Sequence, residues 1–106
     1  MTKPDAVYLT LLVYLREGKE SAFLEYERRV LPLLKQYGGR LEFRLKTSKN
    51  NQIVEEEPDE IHLVSFPSHA DYEKYRQDPA RGDLGALFTE SVARAQLFEG
   101  QLVSKA

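Results

Sequence analysis

The stretch FLEYERRVLPLLKQYGGRLEFRLK, residues 23–46, carries a helix, its stop and a strand in succession. Phe23, Tyr26, Val30, Leu33, Leu34 and Tyr37 recur at spacings of three and four, the stripe that one buried helix face needs. The pattern predicts a helix from about Lys19 to Tyr37, with Glu25, Glu27, Arg28, Arg29 and Lys35 falling mostly outside the stripe. Pro32 lies inside it and removes a backbone hydrogen bond, so a kink or a looser turn is expected there. Gly38–Gly39 supplies a left-handed stop. Then RLEFRLK, residues 40–46, alternates: Leu41, Phe43 and Leu45 point one way, and Arg40, Glu42, Arg44 and Lys46 the other.

A strand precedes this helix. Residues 7–16, VYLTLLVYLR, are rich in β-branched and aromatic side chains, and Gly18 ends them. Val7, Leu9, Leu11, Val13 and Leu15 form an aliphatic face; Tyr8, Thr10, Leu12, Tyr14 and Arg16 form a mixed one. After residue 46 the chain is polar from Thr47 to Glu60, with an Asn50–Asn51 turn signal, the acidic Glu55–Glu57 run, and room for a short extra strand around Gln52–Val54. A third strand, EIHLVSF, covers residues 60–66. Pro67 and Ser68 close it, and Ser68 with Asp71 resembles a capping box with Asp in place of Glu. A short helix follows from His69 to about Gln77, broken at Asp78–Pro79, and a further helical stretch runs to about Arg94. Gln96 to Ser104 reads as a fourth strand, with Gly100 at a bulge or a close backbone approach.

The order β-α-β-β-α-β is the split βαβ, a ferredoxin-like α+β arrangement over a single domain, residues 1–106. Right-handed crossovers lay the helices on one face of a four-stranded antiparallel sheet. The other face then carries Tyr8, Leu12 and Tyr14, too apolar for water, and pairing two such faces in a homodimer would cover them.

Bulk composition excludes several functions. The 106 residues contain no cysteine, which removes disulfides, thiolate metal sites and cysteine nucleophiles and fits a reducing cytoplasm. No apolar run is long enough to span a bilayer, and the N-terminal residues lack a signal-peptide layout. Fifteen basic residues against seventeen acidic ones, without a dense Lys/Arg block, argue against nucleic-acid and membrane partners. Arg40, Arg44 and Lys46 form at most a local basic patch, which a solvated strand face explains better.

Three runs carry a family resemblance: FLEYERRVLPLLKQYGGRL (23–41), HLVSFPSHADYEKYRQDP (62–79) and LFEG (97–100). A helix with an internal proline, a Gly-Gly-Arg entry, a Phe-Pro-Ser exit and a terminal Glu-Gly resemble the dimeric α/β-barrel superfamily. Within it they are most similar to the domain-of-unknown-function thirteen-thirty family. The resemblance spans about residues 7–103 and implies a dimer whose two sheets close around a cavity. Related families include cofactor-independent monooxygenases, haem-degrading and other haem proteins, muconolactone isomerase and ligand-binding regulators, so the fold alone selects no chemistry. The chain departs from the pattern in a longer Thr47–Pro58 connection and a glycine-rich segment at Arg81–Gly85.

Two histidines are the side chains that titrate near neutrality when unperturbed. His62, in mid-strand on the face of Val64 and Phe66, is the catalytic candidate. If that face looks into the cavity it would act as general base or as an axial haem ligand; the alternative is a histidine hydrogen-bonded within the sheet. Whether it faces the cavity or the helices stays open, because Ile61 and Leu63 compete with Val64 and Phe66 for the core. His69 reads as a solvent-facing first-turn residue. Tyr8, Tyr14, Arg44 and Glu99 are the ligand-binding candidates, with Arg44 as anion clamp and the tyrosines as aromatic walls; Glu42 joins them on a mixed face. Cross-strand ion pairing at the dimer interface accounts better for these charges. No three- or four-ligand metal constellation and no phosphate-binding glycine loop is present. The expected function is a small-molecule-binding homodimer, with or without a cofactor-independent activity of monooxygenase or isomerase type; whether it is an enzyme stays open. The alternatives are a non-catalytic module whose paired sheets bury each other and a haem protein, which a Soret band would reveal.

Overall fold

The first strand, β1 (Val7–Leu15), sits inside a sheet of order β2-β3-β1-β4. The helix α1 (Glu20–Gln36) follows it, then β2 (Arg40–Lys46), β3 (Glu60–Phe66), α2 (His69–Gln77), α3 (Pro79–Ser91) and β4 (Val92–Gly100). The computed structural model describes residues 5–50 and 55–104, and the short strand expected at Gln52–Val54 lies outside them. All strand pairs are antiparallel. The second crossover carries two helices because Asp78 ends α2 and caps α3, its carboxylate accepting from the Ala80 N–H at 2.8 Å with Pro79 at the first helical position. Tyr37, just past α1, donates a hydrogen bond to the same carboxylate and ties the two crossovers together.

Each predicted stop does its work. Gly18 and Gly38 have φ of +76° and +77°, the region where a side chain is strained. Gly39 is needed for a different reason: a Cβ there would lie 2.7 Å from Leu34 and 2.8 Å from the Phe66 ring. Helix α1 runs unbroken through Pro32. Ser68 caps α2 by accepting from the Asp71 N–H at 3.1 Å. Its hydroxyl donates to the Asp71 carboxylate at 2.8 Å, the contact that the shorter acid makes in place of the usual return to the backbone.

Beneath α1 the core holds Val7, Leu9 and Val13 of β1 with Phe23, Tyr26, Val30 and Leu34 of the helix, joined by Phe66, Tyr72 and Tyr75. Phe66 lies between the Tyr72 and Tyr75 rings at centroid distances of 5.4 and 5.2 Å. The aliphatic face of β1 therefore meets the helices. Tyr8, Thr10, Leu12 and Tyr14 lie on the opposite face, which no helix covers.

Five boundary or facing expectations change. Strand β4 runs from Val92 to Gly100, not from Gln96 to Ser104, and α3 ends at Ser91, not Arg94. Val92, four residues after Phe88, has helical spacing in sequence, yet it is extended (φ −110°, ψ 119°), pairs with Leu15 and fills the core. A β-branched residue at a junction satisfies either period, so spacing could not place the switch. The β1–β4 irregularity falls at Tyr14/Leu15, whereas Gly100 pairs regularly with Tyr8. On β2 a bulge between Leu41 and Phe43 reverses the alternation part-way. Leu41 stays with Val64, while Phe43 and Leu45 turn to the open face beside Leu63 and Ile61, and Arg44 comes alongside His62 on the helix side. This bulge also parts Arg40 from Arg44 and Lys46, so the three cations do not share one face.

Candidate functional site

Strand β3 settles which way the catalytic candidate points. His62 shares the face of Val64 and Phe66, and that face looks at α1, not at the open side of the sheet. Its ring lies 6.0 Å from that of Phe23 and only 3% of the residue is exposed. Glu60, two residues earlier on the same face, holds His62 Nε2 at 2.9 Å. From above, Glu27 of α1 brings a carboxylate oxygen to 3.7 Å from Nδ1. Glu60 in turn grips Arg44, accepting from Nε at 2.5 Å and Nη2 at 2.9 Å. The Arg44 guanidinium stands 5.8 Å from the Phe23 ring centroid. Glu27, His62, Glu60 and Arg44 thus form one chain of ionisable groups from the helix–sheet core to its rim.

The environments along this chain differ. Burial pushes the Glu27 carboxyl above its ordinary value, against the pull of His62 and Arg44. Burial would also raise Glu60, but hydrogen bonds from Arg44 and His62 outweigh it and hold its carboxyl below the ordinary range. The hydrogen bonding to Glu60 raises Arg44 further. His62 thus stands between two carboxyls shifted in opposite directions, Glu27 upward and Glu60 downward. No buried side-chain nitrogen or oxygen among the described residues lacks a partner.

Arg44 and Glu60 line a pocket of about 350 Å³, within the range of small-molecule sites. Leu15 and Leu24 form its apolar wall, and Glu20, Lys46, Thr47, Lys49 and Asp59 complete the rim. Both legs of the long β2–β3 connection are tied at this rim. Asp59 accepts from the Leu15 N–H at 2.7 Å and pairs with Lys49 at 2.9 Å, and Thr47 donates to the Pro58 carbonyl at 2.6 Å. Among the described residues no cluster of three or more potential metal ligands converges. None of the helices there is long and apolar enough to cross a membrane.

The other expected site residues lie apart. Glu99 is on the helix side at β4, where it meets the exposed His69 at 2.9 Å, across the sheet from Arg44. Tyr8 and Tyr14 are on the open face. Tyr14 is covered by Arg94, whose guanidinium sits 4.1 Å from the ring centroid, and its hydroxyl accepts from Gln96 at 3.4 Å. Glu42, at the bulge, accepts from the Ser65 hydroxyl at 2.6 Å. The structure therefore brings together His62 and Arg44 alone of the expected set and adds Glu27 and Glu60. Glu27 had a signal: it sits four residues after Phe23 and three before Val30, a charge on the apolar stripe itself.

No family model matches the chain, and no curated protein matches it in sequence. Solved structures do. The protein of unknown function RPA0582 from Rhodopseudomonas palustris superposes with a TM-score of 0.81 at 18% identity, over 94% of this chain and 84% of that one. SnoaB from Streptomyces nogalater, a cofactor-independent oxygenase solved as a point mutant, gives 0.74 at 8% identity over 95% and 96%. A dimeric protein of unknown function and ferredoxin-like fold from Bacteroides fragilis gives 0.64 at 14% identity over 92% and 96%. The fold is ferredoxin-like. At these identities the likeness reaches the fold and stops there.

Proposed function

We propose that this chain is a small-molecule-binding protein that works as a homodimer of the dimeric α/β-barrel kind, similar to the domain-of-unknown-function thirteen-thirty family. The ligand sits in each chain's pocket between α1 and the sheet. The observation that carries this reading is the Glu27–His62–Glu60–Arg44 chain, which ends at a pocket wall. A core built for stability alone gains little from ionic groups whose desolvation cancels much of their attraction, whereas a binding site uses them to fix a charged group in place. Pairing follows from the open face, where Phe43, Leu45 and Phe98 are 48%, 50% and 56% exposed. A ferredoxin-like neighbour is itself dimeric. The expected cavity role of Tyr8 and Tyr14 becomes one within that dimer interface.

If the protein turns its ligand over, the Glu60–His62 couple is the proton acceptor, with Glu60 touching the ligand and His62 behind it. That fits the cofactor-independent chemistry named for SnoaB. The second reading, a module whose paired sheets simply bury each other, draws on the same exposed Phe43, Leu45 and Phe98. A crystal structure of the protein as purified separates the two. The binding reading expects sheets packed face to face and density for a small molecule against Arg44. A pocket filled by its own side chains in the dimer would leave only the module.

A further inference from the structure

The clamped arginine says what the ligand is. Building on the small-molecule reading above, we propose that the pocket takes a carboxylate carried on an apolar body, received by the free edge of the Arg44 guanidinium. A guanidinium offers five N–H groups in a rigid plane. Glu60 occupies two, the Nε–H and one on Nη2. The remaining N–H of Nη2 and both of Nη1 have no partner among the described residues, and Arg44 lines the pocket. Those two terminal nitrogens form a fork that matches the two oxygens of a carboxylate. Arg44 does not have to be ordered by the ligand. Glu60 grips it along one edge, His62 holds Glu60 at 2.9 Å, Glu27 stands behind His62, and the Phe23 ring lies under the guanidinium plane. Fixing a long side chain in advance removes an entropy cost that binding would otherwise carry.

The rest of the pocket fits the other half of such a ligand. Leu15 and Leu24 offer an apolar wall, and Leu24 is 55% exposed, surface that the ligand's body would cover. Lys46 adds a second positive charge at the rim beside the arginine fork. Glu20 and Asp59 lie at the same rim, and Asp59 is already engaged by Lys49 and the Leu15 N–H. Arg44 is thus the binding residue, and Glu60 and His62 position it.

The test is a titration of the ¹⁵N-labelled full chain, followed by NMR, with phenylacetate, benzoate and hexanoate and with the primary amide of each. At least one acid should give saturable shifts at the Arg44 Nε–H and at the Leu15 and Leu24 amides, with its amide binding about tenfold more weakly. Arg44→Gln, which loses both the charge and the fork, should abolish the preference for acid over amide. Glu60→Gln, which loosens the grip on Arg44, should shrink that preference several-fold while the amide still gives saturable shifts at Leu15 and Leu24, which a general loss of structure would erase. Equal binding of acid and amide, or a preference that survives Arg44→Gln, overturns the carboxylate assignment and leaves the pocket as a neutral-ligand site. If none of the six compounds shifts these resonances at millimolar concentration, both this proposal and the binding reading beneath it fall.

Discussion

The two faces of this sheet reverse the usual placement of polar and apolar groups. Under the helices, where aliphatic packing is expected, lie Glu27, His62 and Glu60, all buried. On the bare face, where polar groups are expected, Phe43, Leu45 and Phe98 are about half exposed. Each anomaly is costly in an isolated chain, one through desolvated charge and the other through apolar surface left in water. The difference teaches that the two faces await different company. The apolar face fits a large flat partner, and the ionic chain fits a small polar one.

The largest effect should come from cutting the ionic chain at its centre. Glu60→Ala leaves Arg44 and His62 without their shared acceptor and should cost about 3 kcal/mol, read as a fall in the midpoint of urea unfolding. Because the folded state holds the Glu60 carboxyl below its ordinary 4.5, that contribution is present above about pH 4.5 and fades as the pH falls further. The gap between wild type and variant should therefore close in acid. A variant as stable as wild type at pH 7 would reduce the chain to an accident of packing.

On the bare face the corresponding change is Phe98→Asp. Placing a charge among Phe43, Leu45 and Phe98 should weaken the proposed dimer by about 2 kcal/mol or more, roughly 30-fold, measured by sedimentation equilibrium. The circular dichroism spectrum should not change, since no helix lies over this side chain. A dimer that tolerates the aspartate would move the interface elsewhere.

Much of the fold was legible because its signals are local. The three-and-four spacing from Phe23 to Leu34, the Gly38–Gly39 stop and the alternation of residues 7–15 each fix an element without long-range information. The site was less so. One bulge between Leu41 and Phe43 turned Arg44 from the face expected of Arg40 to that of His62, and no composition signal marks a bulge without glycine. His62 stood at a strand position where Ile61 and Leu63 were as apolar as Val64 and Phe66, so neither period nor hydropathy chose its side. Glu27 was readable in principle, but a lone charge on an apolar stripe gains meaning only once its partner from another element is known.

A smaller effect tests the deep end of the chain. Burial raises the Glu27 carboxyl above its unfolded value, so the folded state binds a proton more tightly there than the unfolded chain does. Its contribution is full below about pH 4.5, the ordinary value, and is lost as the pH rises through the folded one. Glutamine has no proton to lose. Glu27→Gln should therefore match wild type near pH 4 and become progressively the more stable protein towards pH 8, read from paired thermal melts. A difference that stays constant with pH would mean that Glu27 titrates alike in both states.

The smallest effect compares the two histidines directly. His69 meets Glu99 at 2.9 Å and Glu73 at 3.5 Å, a geometry as close as that of His62 and Glu60, yet its side chain is 59% exposed. Water and ions screen such a pair, so His69→Ala should cost less than about 1 kcal/mol and its cost should vanish near 1 M salt. His62→Ala, which opens a buried site and takes from Glu27 and Glu60 the ring between them, should cost several times more and keep most of that cost in salt. Distance alone would rank the two histidines as equals; burial separates them, and denaturation at two ionic strengths measures by how much. Equal costs would mean that the helix–sheet core admits solvent as freely as the surface does, and the pocket would then lack the dry wall that the proposed Arg44 clamp requires.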